Sequence, residues 1–131
     1  MPTTRPLALV AEDTELGRWA IAHALQADGF DTCVFDGWAE SAGWLGRRKF
    51  DVVVVALSVD RDDVGNIAEH MRSHHRGTRL IVLAPQDEMG EVRSACGPGP
   101  VVLPKPLDVE RIVQTAKSLT GRGPTTVDAQ G

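Results

Sequence analysis

Short apolar runs alternate with helically spaced apolar residues along almost the whole chain. Leu7 to Ala11 (LALVA) is a continuous apolar run, as expected of a strand covered on both faces. Glu12-Asp13-Thr14 interrupts it and supplies an N-cap for the next segment. From Leu16 to Ala27, the residues Leu16, Ala20, Ile21, Ala24 and Leu25 recur at helical steps, predicting a helix with one buried stripe that ends at Gly29. Phe30 to Phe35 reads as a strand, and Trp38 to Arg48 as a helix weakened by Gly43 and Gly46.

The valine run in Asp51 to Leu57 (DVVVVAL) leaves no polar face, so this strand should be central. An Asp-rich loop precedes a helix from about Val64 to His74. A fourth apolar run, Arg79 to Ala84 (RLIVLA), stops at Pro85, and Gln86 to Ala95 predicts a short charged helix. The turn Gly97-Pro98-Gly99-Pro100 leads into a last strand, Val101 to Leu103. Leu107 to Leu119 then carries Val109, Ile112, Val113, Ala116 and Leu119 on one face of a helix. Residues 1–120 form one domain, and 121–131, which have no period, read as a flexible tail or the start of a linker.

Five strand-then-helix units are too few for an eight-fold barrel. They predict a doubly wound α/β fold: a five-stranded parallel sheet with helices on both faces. Ligand sites in such sheets lie at the C-terminal ends of the strands. The residues to inspect are therefore Glu12 and Asp13, Ala56 to Ser58, Ala84 and Lys105.

Composition narrows the classes. Hydrophobic residues are 42% and charged residues 24% of 131, which suits an ordinary folded domain. Lys and Arg number 14 against 18 Asp and Glu, a net charge of −4. A mildly acidic chain without a basic run is a poor candidate for tracking phosphate backbones, so no direct nucleic-acid contact is expected. No apolar stretch approaches a membrane span, and the N-terminus lacks a signal-peptide core, so a cytoplasmic protein away from membranes is expected. Cys33 and Cys96 read as two buried thiols without a nucleophile's partners.

The spaced motifs resemble the receiver domain of bacterial two-component response regulators. The resemblance runs from about Arg5 to Leu119 and rests on Glu12-Asp13 after the first strand, the valine strand, RLIVLA and Lys105-Pro106. It implies a flavodoxin-like sheet ordered 2-1-3-4-5. It also implies an acidic pair binding magnesium, a phosphate-accepting aspartate, a Ser or Thr that senses the phosphate, and a contacting lysine. Glu12 and Asp13 match the acidic pair, and Lys105 matches the lysine, followed by its often cis proline. The phosphoacceptor position is Ala56, the hydroxyl position is Ala84 and the aromatic switch position is Val102. A methyl group cannot attack phosphorus. Losing one carboxylate from the cage leaves Glu12 and Asp13 as a weak magnesium site at most. No catalytic residue and no other cofactor is expected.

Plainer roles compete for these residues. Glu12 and Asp13 suit a dipole-stabilised helix start, and Lys105 suits a counter-ion to either of them. Ser58 is a loop serine; Asp60, Asp62 and Asp63 suit a solvated cap. His70 and His74, with His75 beside them, have metal-compatible spacing but no carboxylate or cysteine placed to complete a shell. Of Trp19, Trp38 and Trp44, Trp44 is the expected contact residue. These features together favour a phosphorylation-independent signalling or interaction module. The resemblance implies a protein partner or homodimer on the face of the fourth predicted helix (Gln86 to Ala95), the last strand (Val101 to Leu103) and the last helix (Leu107 to Leu119), through Asp87, Glu88, Glu91, Arg93, Glu110, Arg111 and Lys117. The alternative is a small-ligand or metal module reusing the vacated pocket.

Overall fold

A computed structural model describes residues 5–56, 61–105 and 108–121, with the side chains of 61 and 62 outside that description. The elements are β1 (Leu7–Ala11), α1 (Glu15–Ala27), β2 (Asp31–Phe35), α2 (Trp38–Leu45), β3 (Val52–Val55), α3 (Arg61–His74), β4 (Arg79–Pro85), α4 (Met89–Cys96), β5 (Val101–Lys105) and α5 (Val109–Leu119). The sheet is parallel and ordered β2-β1-β3-β4-β5, the predicted doubly wound arrangement.

Strand periodicity divides the core in two. Ala8, Val10, Val52, Val54, Ile81, Leu83 and Leu103 face α1 and α5, where they meet Ile21, Leu25, Ile112, Val113 and Ala116. Leu9, Val53, Val55, Leu80, Val82 and Val102 face the other layer, packing with Leu45, Ile67, Met71 and Val92. All four residues of β3 are buried, as expected of a central strand with no polar face.

The differences from expectation have local causes. The buried stripe of α1 is Gly17, Ile21, Ala22 and Leu25, while Leu16 points outward, 76% exposed. Thr14 caps the helix by accepting from the Gly17 amide, and that sets the phase one residue later than the apolar spacing suggests. Trp19 is accordingly the tryptophan that reaches solvent, at 63% exposure. Trp44, the expected contact residue, is half-buried against Phe35, with ring centroids 6.2 Å apart.

The helix predicted over Gln86 to Ala95 begins as a 3-10 turn, Gln86–Glu88, before α4. α2 stops at Leu45, capped by Gly46. Cys96 is buried, but Cys33 is only half-buried because β2 is an edge strand with one neighbour. Residues Leu57, Ser58, Asp60, Pro106, Leu107 and 122–131, and the Asp62 side chain, lie outside the described residues.

Candidate functional site

The C-terminal ends of β1, β3, β4 and β5 converge as the sheet order requires. Ala11 pairs with Val55, Val55 with Val82, and Ala84 with Pro104, so Glu12, Ala56, Ala84 and Lys105 end up on one edge of the sheet. The Ala56 amide donates to the Ala11 carbonyl at 2.8 Å, tying the strand ends together.

Glu12 is 4% exposed, and its carboxylate is engaged locally. Its Oε2 accepts from the Thr14 hydroxyl at 2.6 Å and from the Thr14 amide at 2.9 Å. The Thr14 oxygen in turn accepts from the Gly17 amide at 3.1 Å, and the Arg18 guanidinium donates to the Glu12 main-chain carbonyl at 2.9 Å. A buried acid at a helix start, held by donors and the positive end of the helix dipole, is electrostatically satisfied there. Gly17 makes room for it, since a Cβ at that position would stand 2.7 Å from the Glu12 Cδ. Asp13 is exposed beside it.

At the centre stand two methyl groups. Ala56 is 1% exposed and Ala84 2%. The half-buried Lys105 reaches across, its ammonium donating to the Ala56 carbonyl at 3.4 Å. Val102, 7% exposed, is paired with Val82 and packed into the core beneath α4. An open depression of about 600 Å³ lies beside Lys105, bordered by Leu83, Gln86, Leu103, Asp108 and Arg111.

Among the described residues, no group of three or more His, Cys, Asp or Glu is placed to hold a metal ion. Magnesium demands several oxygens in a near-octahedral shell. With one Glu12 oxygen given to Thr14 and a methyl group at Ala56, the donor set does not fit a tight magnesium site.

No family model matches the chain, and no curated protein matches it. Solved structures do. A response regulator from Thermotoga maritima superposes with a TM-score of 0.75 at 22% identity, over 90% of this chain and 99% of that one. An orphan response regulator of H. pylori gives 0.74 at 15% identity, over 91% and 99%. The beryllofluoride-activated NtrC4 receiver-domain dimer gives 0.73 at 20% identity, over 88% and 96%. The chain has the receiver-domain fold. At the C-terminal strand ends of this fold stand Glu12 and Asp13 after β1, Ala56 after β3, Ala84 in β4 and Lys105 at the end of β5.

The remaining candidates separate in space. Asp87 and Glu88 lie exposed on the 3-10 turn, Glu91 and Arg93 on α4, and Glu110 and Arg111 on α5. Lys117 instead bridges to Asp28 beyond α1, at 3.2 Å, on the α1 side of α5. The histidines cluster at the far end of α3. His70 stacks on His74 with centroids 4.8 Å apart, lies 5.2 Å from His75, and meets the edge of Trp38 at 6.3 Å. Burial, with the neighbouring imidazoles, holds the His75 pKa below the ordinary histidine value. Burial pushes the Cys96 thiol up, partly offset by Arg72. Sequence reasoning missed the exposed apolar group of Leu16, Trp19 and Val34 on α1 and edge strand β2. It is invisible until the phase of α1 and the edge position of β2 are known.

Proposed function

We propose that this receiver-fold chain is a signalling module that relays its state through protein contacts and accepts no phosphate. The observation that carries this reading is Ala56, a sealed methyl group at the phosphoacceptor position with the Lys105 ammonium on its carbonyl. Aspartyl phosphorylation needs a carboxylate oxygen to attack, and among the described residues no such nucleophile stands between the lysine and the acidic pair. The chain is read as a pseudo-receiver of a bacterial, cytoplasmic signalling system and not as an enzyme. An orphan response regulator among its structural neighbours is compatible with such a role.

The contact face we assign is α4, β5 and α5, with Asp87, Glu88, Glu91, Arg93, Glu110 and Arg111 as its exposed charges. Mixed signs on one face favour a specific partner or a second copy over bulk adhesion. A structural neighbour, NtrC4, forms a receiver-domain dimer. Reuse of the strand-end pocket for a small ligand is the weaker reading, because Lys105 already leans over Ala56.

The test is acetyl phosphate or beryllium fluoride with magnesium, followed by amide NMR and intact mass. The expected result is an unchanged spectrum and no phosphoryl adduct. A stoichiometric, base-labile adduct would sink the reading. Charge reversal at Glu88 and Glu91, read by sedimentation and partner binding, tests the contact face separately.

A further inference from the structure

The opposite end of the sheet carries a second concavity with different chemistry. A cleft of about 550 Å³ opens at the N-terminal edge of β4, between the last turns of α3 and the turn before β5. Ala68, Met71, Leu80, Pro98 and Pro100 give it an apolar floor, of which Met71 and Leu80 are 3% and 5% exposed. Arg72, Arg76 and Arg79 stand around it with a single acid, Glu69, so the lining carries 3 − 1 = +2 on a chain of net −4.

The wall is preorganised. The Arg72 guanidinium donates to the Cys96 carbonyl at 2.6 Å and to the Pro98 carbonyl at 3.4 Å, fastening α3 to the Gly97–Pro100 turn. Gly97, at φ 72°, lets that turn pass close, since a Cβ there would stand 3.3 Å from the guanidinium. Glu69 is neutralised in place: Arg72 meets one oxygen at 3.2 Å and the Ser73 hydroxyl donates to the other at 2.9 Å. Arg76 and Arg79 are exposed and, among the described residues, hold no salt bridge. Lys49 adds a further cation nearby, its ammonium 3.8 Å from where a Gly77 Cβ would stand.

From this geometry we infer that the cleft at the N-terminal edge of β4 binds a small organic anion, with a phosphate or carboxylate group held by Arg76 and Arg79 and an apolar body resting on Met71 and Leu80. Guanidinium forks match both anionic groups in bidentate fashion. A concave cleft with an apolar floor and a few polar groups at its rim is the ordinary form of a small-molecule site, and its volume lies within the usual range of about 300–1,000 Å³. The concave shape favours a small molecule over a polyanion, which would track an open basic ridge. This site lies at the other end of the strands from Ala56 and Lys105, and it stands independently of the phosphate-free reading.

The probe is 1-naphthyl phosphate, titrated into the 15N-labelled protein and followed by amide shifts. Inorganic phosphate and 1-naphthol serve as the head-only and body-only arms, and a carboxylate arm uses 1-naphthoate. The expected result is saturable shifts confined to residues 68–80 and 98–101, with each half-probe binding at least about tenfold more weakly. Arg76→Glu with Arg79→Glu should lower affinity by about tenfold or more and leave the rest of the spectrum unchanged. Arg76→Lys with Arg79→Lys, which keeps charge but loses the fork, should fall between. Shifts centred on Ala56 and Lys105, equal binding of inorganic phosphate alone, or undiminished binding by the charge-reversed protein would overturn the inference. So would tighter binding of a DNA duplex to the same residues, which would make the face a nucleic-acid surface.

Discussion

Gly17 is a glycine because Glu12 folds over it. Its φ is not positive, so the constraint is space and not backbone freedom: a side-chain carbon would fall 2.7 Å from both the Glu12 Cδ and the Thr14 hydroxyl. Overpacking of this kind costs about 1–3 kcal/mol. Gly17→Ala should therefore destabilise by that order in urea denaturation. Removing the carboxylate first, with Glu12→Ala, should reduce the penalty, and the double mutant should be clearly more stable than the sum of the single changes predicts. Additive effects would mean that Glu12 does not occupy the space above Gly17. The same cluster accounts for Glu12, the buried member of the Glu12-Asp13 pair. Glu12 has a full structural role as a buried partner of the α1 cap, needing neither metal nor phosphate.

At the scale of elements, α1 and α5 are held side by side by apolar packing, and the ion pair between their ends is peripheral. Ile21, Leu25, Ile112, Val113 and Ala116 are all nearly sealed, while the Lys117–Asp28 bridge joins side chains that are 19% and 42% exposed. Surface ion pairs contribute about 0–1 kcal/mol, whereas truncating a buried isoleucine costs about 2–5. Lys117→Met should leave the melting temperature nearly unchanged, and Ile112→Ala should lower it by many degrees. The reverse ranking would mean that charge holds the seam.

Element order, the central place of β3 and the apolar face of α5 were all legible in the sequence, because apolar period and run length follow burial directly. The phase of α1 was not. Leu16 is as apolar as Leu25, and only the Thr14 cap and the buried Glu12 rotate it outward. Likewise Gln86 to Ala95 reads as one helix by composition, and the break at Met89 depends on where β4 delivers the chain. At the site, Ala56, Ala84 and Lys105 could be located from strand ends alone. The engagement of Glu12 with Thr14 required the turn geometry between them.

Across the whole molecule, acidification should be felt first at the far end of α3. The His75 pKa is held below the ordinary histidine value of 6.5, by burial first and then by His70 and His74. Unfolded, this imidazole takes up a proton near pH 6.5; folded, it resists until lower pH. Within that window the unfolded chain binds more protons, so His75's contribution is full above about pH 6.5 and is lost as pH falls toward the folded pKa. Urea unfolding between about pH 7 and 5 should show stability falling with pH, and His75→Asn should flatten the slope. A slope unaffected by that substitution would place the titrating group elsewhere.

The enclosed methyl groups at the ends of β3 and β4 also have an evolutionary consequence. On the phosphate-free reading proposed above, a lineage carrying this chain would not regain phosphate chemistry by one step at Ala56. Ala56→Asp would put a carboxylate into a site 1% exposed, next to a buried glutamate already committed to its helix cap, and a buried charge without a full set of partners costs several kcal/mol. Ala84 would still lack a hydroxyl, and Val102 would still be core. The first reverting mutant would be less stable and no better at signalling, so selection would remove it before the second change arrived. On that reading the loss of the switch would work as a ratchet, held in place by the packing around Ala56 and Ala84.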